Sequence, residues 1–224
     1  ARGVRIRGAG APFGARGARW PTPWAVSLGE HRRYTRGRDT KGDRSRCVLG
    51  RMSCNAVQNP NELVAVVDRD NNVIEGATRA RMRAENLTHR CSYVMVFNDK
   101  GEMLVQRRVD FKETYPHFYD PAPGGVVGYG ETYEANALRE IDEEMGVKGD
   151  IRLVHHFDFS FKDALSSVWG RLFSCTFNGP LALQESEVES AEWMDVESVK
   201  DLLKTGKVCP DSAFAVKKHF GVKF

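Results

Sequence analysis

Residues 124–147 read GGVVGYGETYEANALREIDEEMGV, and the fold turns on how this stretch divides. Its second half has a 3.6-residue period. Ala135, Leu138, Ile141, Met145 and Val147 form an apolar stripe, so a helix is predicted that turns this stripe inward. Glu140, Glu143 and Glu144 stand at i, i+3 and i+4, which places three carboxylates on a shared face a turn apart. Like charges at that spacing destabilise a bare helix by roughly 0.2–0.5 kcal/mol per pair, so the sequence invites a cation. Hard oxygen ligands without a neighbouring His or Cys favour Mg2+, with Mn2+ as a substitute, over zinc. A glycine-rich start followed by clustered acids suits a magnesium site that holds a diphosphate.

At 224 residues the chain is long enough for one large core or two small ones. Charge favours one domain and a tail. Residues 1–58 hold thirteen Lys or Arg against Glu30, Asp39 and Asp43, a net of +10, which leaves about −7 for residues 59–224 of the +3 chain. The basicity belongs to the tail, so a nucleic-acid-binding body is disfavoured. The tail has no sustained period and reads as a disordered basic extension. Three readings of it stay open: an organelle transit peptide, sequence upstream of a start at Met52, or an RNA-binding arm that stacks Trp20 and Trp24 on bases. A transit peptide would direct the protein to a plastid or mitochondrion; otherwise a cytoplasmic location is expected.

Cys47, Cys54, Cys91, Cys175 and Cys209 are odd in number and lack paired spacing, so they read as reduced thiols of an intracellular protein. No apolar run approaches the ~20 residues that span a bilayer.

The body begins near Asn59. Leu63–Val67 and Val73–Ile74 flank the turn cluster Asp68 to Asn72 as a hairpin, whose outer edge could pair two copies, so a monomer or a homodimer is expected. Thr78–Glu85 opens with a capping residue and predicts a short helix. Cys91–Phe97 and Met103–Arg107 predict a second hairpin, Leu153–Phe161, Val168–Phe177 and Val188–Met194 further strands, and Val196–Leu203 and Pro210–Phe220 two helices. Mixed strands and helices indicate an α/β or α+β class.

Gly125, Glu131, Arg139, Glu140, Ile141, Glu143, Glu144, Gly146 and Val147 together fill every fixed position of the Nudix box. Across about residues 61–220 the chain resembles the isopentenyl-diphosphate-isomerase-like branch of the Nudix hydrolases, through the MLVQRR strand, the GGVV run and the VWGRLFSC strand. The resemblance implies a Nudix α/β/α sandwich with a mixed sheet between helices. It also implies metal-dependent hydrolysis of a nucleoside diphosphate linked to another moiety, or of a similar small-molecule diphosphate, by water attack on phosphorus. By position it makes Glu140 and Glu144 the main metal ligands, Glu143 a further ligand or water-activating base, and the Gly125 carbonyl an extra oxygen. Arg139 would orient a carboxylate and Glu131 would brace the loop. A base or distal ligand from the loop before the last strand would be Glu187, with Glu185 second. Arg107, Arg108 and Arg171 are candidate partners for substrate phosphates.

The isomerases of that branch use a Cys before the box and a Glu after the Trp of the later strand. Here Phe118–Pro123 has no Cys and Arg171 stands where the acid is wanted, which points to a hydrolase and not an isomerase. A non-catalytic nucleotide sensor is the remaining alternative, and the intact carboxylates weigh against it. His155 and His156 are adjacent and predicted on opposite sheet faces. Cys91 and Cys175 lie in apolar strands and read as inert core thiols.

Overall fold

Asp68 closes the first hairpin, its carboxylate accepting from the N–H groups of Asp70 (2.8 Å) and Asn72 (2.9 Å). In this computed structural model, which describes residues 58–223, that turn joins β1 (Leu63–Val67) to β2 (Val73–Thr78). The expectations for residues 1–57 lie outside the described residues. The Thr78 hydroxyl then caps α1 (Arg79–Ala84) by accepting from Arg81 N–H at 3.3 Å. The elements that follow are β3 (His89–Phe97), β4 (Met103–Arg108), β5 (Tyr119–Asp120), α2 (Tyr133–Met145), β6 (Val154–Lys162), β7 (Ser167–Thr176), β8 (Val188–Met194), α3 (Val196–Leu202) and α4 (Pro210–Phe220). Each strand and helix expected from the sequence of the body is present.

The β3–β4 hairpin departs from its expected form. The strands meet only at Phe97↔Met103, next to their turn. Beyond it β3 runs parallel to β7 along its whole length, and β4 pairs antiparallel with β8. The segment 119–127 fills the gap between them. It pairs with β4 at Gln106↔Asp120, and along β3 Val94 N–H donates to Pro123 O (2.9 Å), Ser92 N–H to Gly125 O (3.0 Å) and Val127 N–H to Arg90 O (3.0 Å). Backbone bonding that a simple hairpin would satisfy internally is met by this inserted segment, which brings Gly124 and Gly125 to the middle of the sheet.

Alternation along β3 builds the two cores. Cys91, Tyr93 and Met95 face the side covered by α3 and α4, where they pack with Val199, Leu203, Ala215 and Val216. Val94 and Val96 face α2 and pack with Tyr133, Ala137, Ile141 and Met145. A mixed sheet covered on both faces is the α/β/α sandwich expected.

The inward stripe of α2 differs from the one predicted. Tyr133, Ala137, Ile141 and Met145 are buried, whereas Ala135 is exposed and Leu138 is 39 % exposed. The buried face also includes Asn136 and Glu144. Ile141, Met145 and Val147 of the expected stripe are buried, while Ala135 and Leu138 are not, because part of the buried face is polar and serves the site.

Candidate active site

Two glycines carry the inserted segment past its neighbours. A β-carbon on Gly124 would lie 1.8 Å from Ser92 O, and one on Gly125 would lie 2.0 Å from Glu140 Cδ. Only glycine allows both approaches. The Gly125 carbonyl accepts from Ser92 N–H and keeps a second lone pair for another partner. The Thr132 hydroxyl caps the start of α2 by accepting from Ala135 N–H at 3.1 Å, and Gly146 ends the helix at φ 71°.

Arg139 ties the carboxylates of this region together. Its Nε donates to Glu131 Oε1 at 3.1 Å, and its Nη1 donates to Glu140 Oε1 at 3.0 Å and Glu143 Oε2 at 3.1 Å. Glu131 also accepts from Gly128 N–H (2.9 Å) and Asn136 Nδ2 (3.1 Å), so it joins the glycine loop to the helix.

The three box carboxylates do not share one face. Glu140 (15 % exposed) and Glu144 (7 %) border a cavity, while Glu143 (55 %) lies outside it on Arg139. At roughly 100° per residue Glu143 falls 100° round the helix from Glu144, which is enough to turn it out of the cavity. Burial, and next the neighbouring Glu144, push the Glu140 carboxyl up to about 7.

The opposite wall of the cavity comes from the end of β4 and the loop behind it. Lys112 Nζ lies 3.3 Å from Glu144 Oε1 and also pairs with Glu187, so the amine bridges the two carboxylates. Gln106 Nε2 holds the other Glu144 oxygen at 2.8 Å, and the buried Gln106 Oε1 has no partner. Arg108 borders the same cavity. Its Nη2 donates to Thr114 O at 3.1 Å, its nearest acid is Asp120 at 3.9 Å, and its buried Nε has no partner.

Glu187 and Arg108 are therefore gathered with Glu140, Glu144 and Gly125, and the other candidates are not. Arg107 points away and pairs with Glu189 at 3.0 Å, because alternation along β4 sends it to the side opposite Gln106 and Arg108. Arg171 donates to Asp158 at 2.8 and 2.9 Å and to Glu134 at 3.2 Å, and stacks over the Tyr133 ring. It does not line the cavity, since those two acids hold it over the far end of α2. Glu185 is exposed. His155 bonds Asp158 and His156 bonds Ser174, and both stand outside the cavity. Cys175 is a core thiol, but Cys91 borders the cavity, where burial pushes it up to about 12 and keeps it protonated.

Sequence reasoning missed Lys112, and it missed Arg79 and Arg83 of α1, which also line the cavity. Lysine and arginine in a short helix or polar loop carry no period or motif that marks them. Their placement follows from the inserted segment.

The donors suit a hard divalent cation. Among the described residues no three His, Cys, Asp or Glu side chains gather as a closed metal cage. Mg2+ does not require one: it is commonly held by one or two carboxylates plus substrate phosphates. Glu140, Glu144 and the free lone pair on Gly125 O supply that number of oxygens. Glu144 lies close enough to Glu140 to disfavour its ionisation, and a cation between them would relieve that repulsion.

Residues 87–213 match the NUDIX domain family. Relatives named as uncharacterised Nudix hydrolases include one from Yersinia pestis, 41 % identical over 155 residues that make up 69 % of this chain and 84 % of that protein. YfcD of Escherichia coli is 40 % identical over the same shares. The crystal structure of DR0079 from Deinococcus radiodurans superposes with a TM-score of 0.61 at 24 % identity, covering 70 % of this chain and 98 % of that one, which shows the shared fold. Nudix hydrolases generally use divalent metals such as Mg2+, and among the described residues no helix is long and apolar enough to cross a membrane. With Gly125, Glu140 and Glu144 of the box bordering this cavity, the chain belongs to the Nudix hydrolase family.

Proposed function

We propose that this enzyme cleaves the diphosphate of a nucleoside diphosphate linked to another moiety, or of a similar organic diphosphate, by attack of water on phosphorus. The observation that carries the reading is the confrontation in one cavity of Glu140 and Glu144 with Arg108 and Lys112. Carboxylates alone would repel a diphosphate, and cations alone would not need glutamates.

Glu140, Glu144 and the Gly125 carbonyl would hold a Mg2+ ion, which would neutralise phosphate charge and make water a better nucleophile. Around it each protein group has a task. Arg139 fixes the Glu140 carboxylate through Oε1, and Gln106 fixes Glu144 through Oε2. Arg108, whose Nε lacks a partner, donates to a phosphate oxygen. Glu187 accepts the proton of the attacking water, and Lys112 orients it by their ion pair. The isomerase alternative loses ground, since carbon acid–base work needs an acid where Arg171 stands and Arg171 is bound outside the cavity.

Hydrolysis of a diphosphate panel with Mg2+ in water enriched in heavy oxygen tests the reading. The label is expected in a phosphate or phosphomonoester product. Label in a non-phosphate product, or no turnover of any compound, would defeat it.

A further inference from the structure

Two cavity cations, Arg79 and Arg83, have no task in this hydrolytic scheme, and Arg83 is the one left unmatched. Arg83, near the end of α1, is 26 % exposed, its Nε is buried without a partner, and the nearest acid, Glu113, stands 4.0 Å away. Arg79 lies one turn earlier in the same cavity and is fully engaged. Its Nε and Nη2 donate to Glu62 Oε2 at 2.9 and 2.7 Å, and its Nη1 donates to Gln58 Oε1 at 3.1 Å. Like charges one turn apart repel, and Glu62 settles only the first of them. Burial foremost, and Arg79 with it, push the Arg83 guanidinium below its usual pKa. A largely buried cation kept without a matched carboxylate is costly unless a ligand completes it.

Arg83 also stands where two hollows meet. Arg79, Arg83, Glu113 and Thr114 line both the carboxylate cavity and a neighbouring hollow that continues over Pro60, Ala80 and Leu165. Among the described residues no aromatic side chain lines this second hollow, so they offer no platform for stacking a base. Its unmatched feature is the Arg83 guanidinium, at the end facing the carboxylates. Guanidinium groups pair with phosphate oxygens through two parallel hydrogen bonds.

We propose that Arg83 binds an additional phosphoryl group, the one farther from Glu140 and Glu144, so that the preferred substrates carry at least three phosphates in a row. The reacting end of this scheme rests on the hydrolytic reading above; the binding of the third phosphate does not. Arg108 then serves the diphosphate and Arg83 the phosphate beyond it.

Methylene-bridged diphosphate and triphosphate, which cannot be cleaved, separate the two claims when titrated calorimetrically with Mg2+. The protein is expected to bind the triphosphate more tightly. Arg83→Gln is expected to weaken the triphosphate by roughly 10- to 100-fold, the size of a charged hydrogen bond, and to leave the diphosphate nearly unchanged. Arg83→Lys should recover part of the loss. Equal weakening of both ligands, or of neither, overturns the proposal. Should Arg83→Gln fail to fold, Glu113→Gln decides. Freeing Arg83 of its nearest acid is expected to tighten the triphosphate alone, and unchanged triphosphate affinity overturns the proposal. No turnover of any compound with the triphosphate preference intact would remove the hydrolytic reading and leave the Arg83 site standing.

Discussion

Adding one methyl group at Gly125 tests how closely the glycine loop and the helix carboxylate are fitted. The new β-carbon would lie 2.0 Å from Glu140 Cδ and 2.1 Å from Oε1. Non-bonded carbons rest about 3.5–4.0 Å apart, so the carboxyl must retreat by about 1.5 Å or more. It can do so only by leaving Arg139, which holds Oε1 at 3.0 Å. A displacement of about 1 Å at a reacting site can cost on the order of 100-fold in rate, so Gly125→Ala is expected to lower kcat/KM at least that far. The clash falls on the end of a side chain, so the loss of stability should stay within about 1–3 kcal/mol. Gly124→Ala is the opposite case. Its β-carbon would lie 1.8 Å from Ser92 O, a backbone atom of the central strand that cannot step aside. That variant is expected to lose more than about 3 kcal/mol or to fail to fold. Denaturant unfolding and Mg2+-dependent kinetics on both variants read the two effects. A folded Gly125→Ala with the parent kcat/KM, or a Gly124→Ala as stable as the parent, would refute this reasoning.

Because Glu140 titrates at about 7 in the fold against 4.5 in the open chain, its contribution to stability is full below about pH 4.5 and is lost as pH rises through about 7. Mg2+ needs the ionised form, so its affinity should fall by up to about tenfold per unit below pH 7; calorimetric titration one unit either side should show this, and a flat affinity would count against the site. Glu187→Gln is expected to lower kcat by about 100-fold or more, while Glu185→Gln, on an exposed residue, leaves it unchanged. Equal effects in steady-state assays would remove Glu187 from the chemistry. Arg171→Met should cost about 1 kcal/mol, roughly 2–4 °C of thermal midpoint, without raising KM. A raised KM at an unchanged midpoint would return Arg171 to the substrate.

The box could be read from sequence because its constraints are local. The glycine at 146 and the spacing of Glu140 to Glu144 each act within one helix and its end. Strands were equally legible, since β-branched and aromatic runs between turn residues carry their own signal. What failed depended on the partner across space. Apolar period found the inward face of α2 only in part, at Ile141, Met145 and Val147, because Asn136 and Glu144 are buried for their bonds to Ser92 and Gln106. Glu143 belonged to the sequence cluster yet is turned out by one helical step. Arg107 and Arg108 looked equivalent until strand alternation sent them to opposite sides. Lys112 and Arg83 had no signal at all, since only the separation of β3 from β4 and the placement of α1 bring them to the carboxylates.

Glu144 concentrates the account in one side chain: it is buried, fixed by Gln106, paired with Lys112 and a turn from Glu140. The most direct measurement is Mg2+-dependent release of phosphate or nucleoside monophosphate from a diphosphate panel by the parent protein and by Glu144→Gln, with thermal unfolding of both. The parent is expected to turn over at least one compound and to stop when the metal is chelated. The variant, with a similar midpoint, should be slower by on the order of 1,000-fold, about 4 kcal/mol in the barrier. A Glu144→Gln protein that keeps the parent rate at saturating Mg2+ would contradict the account.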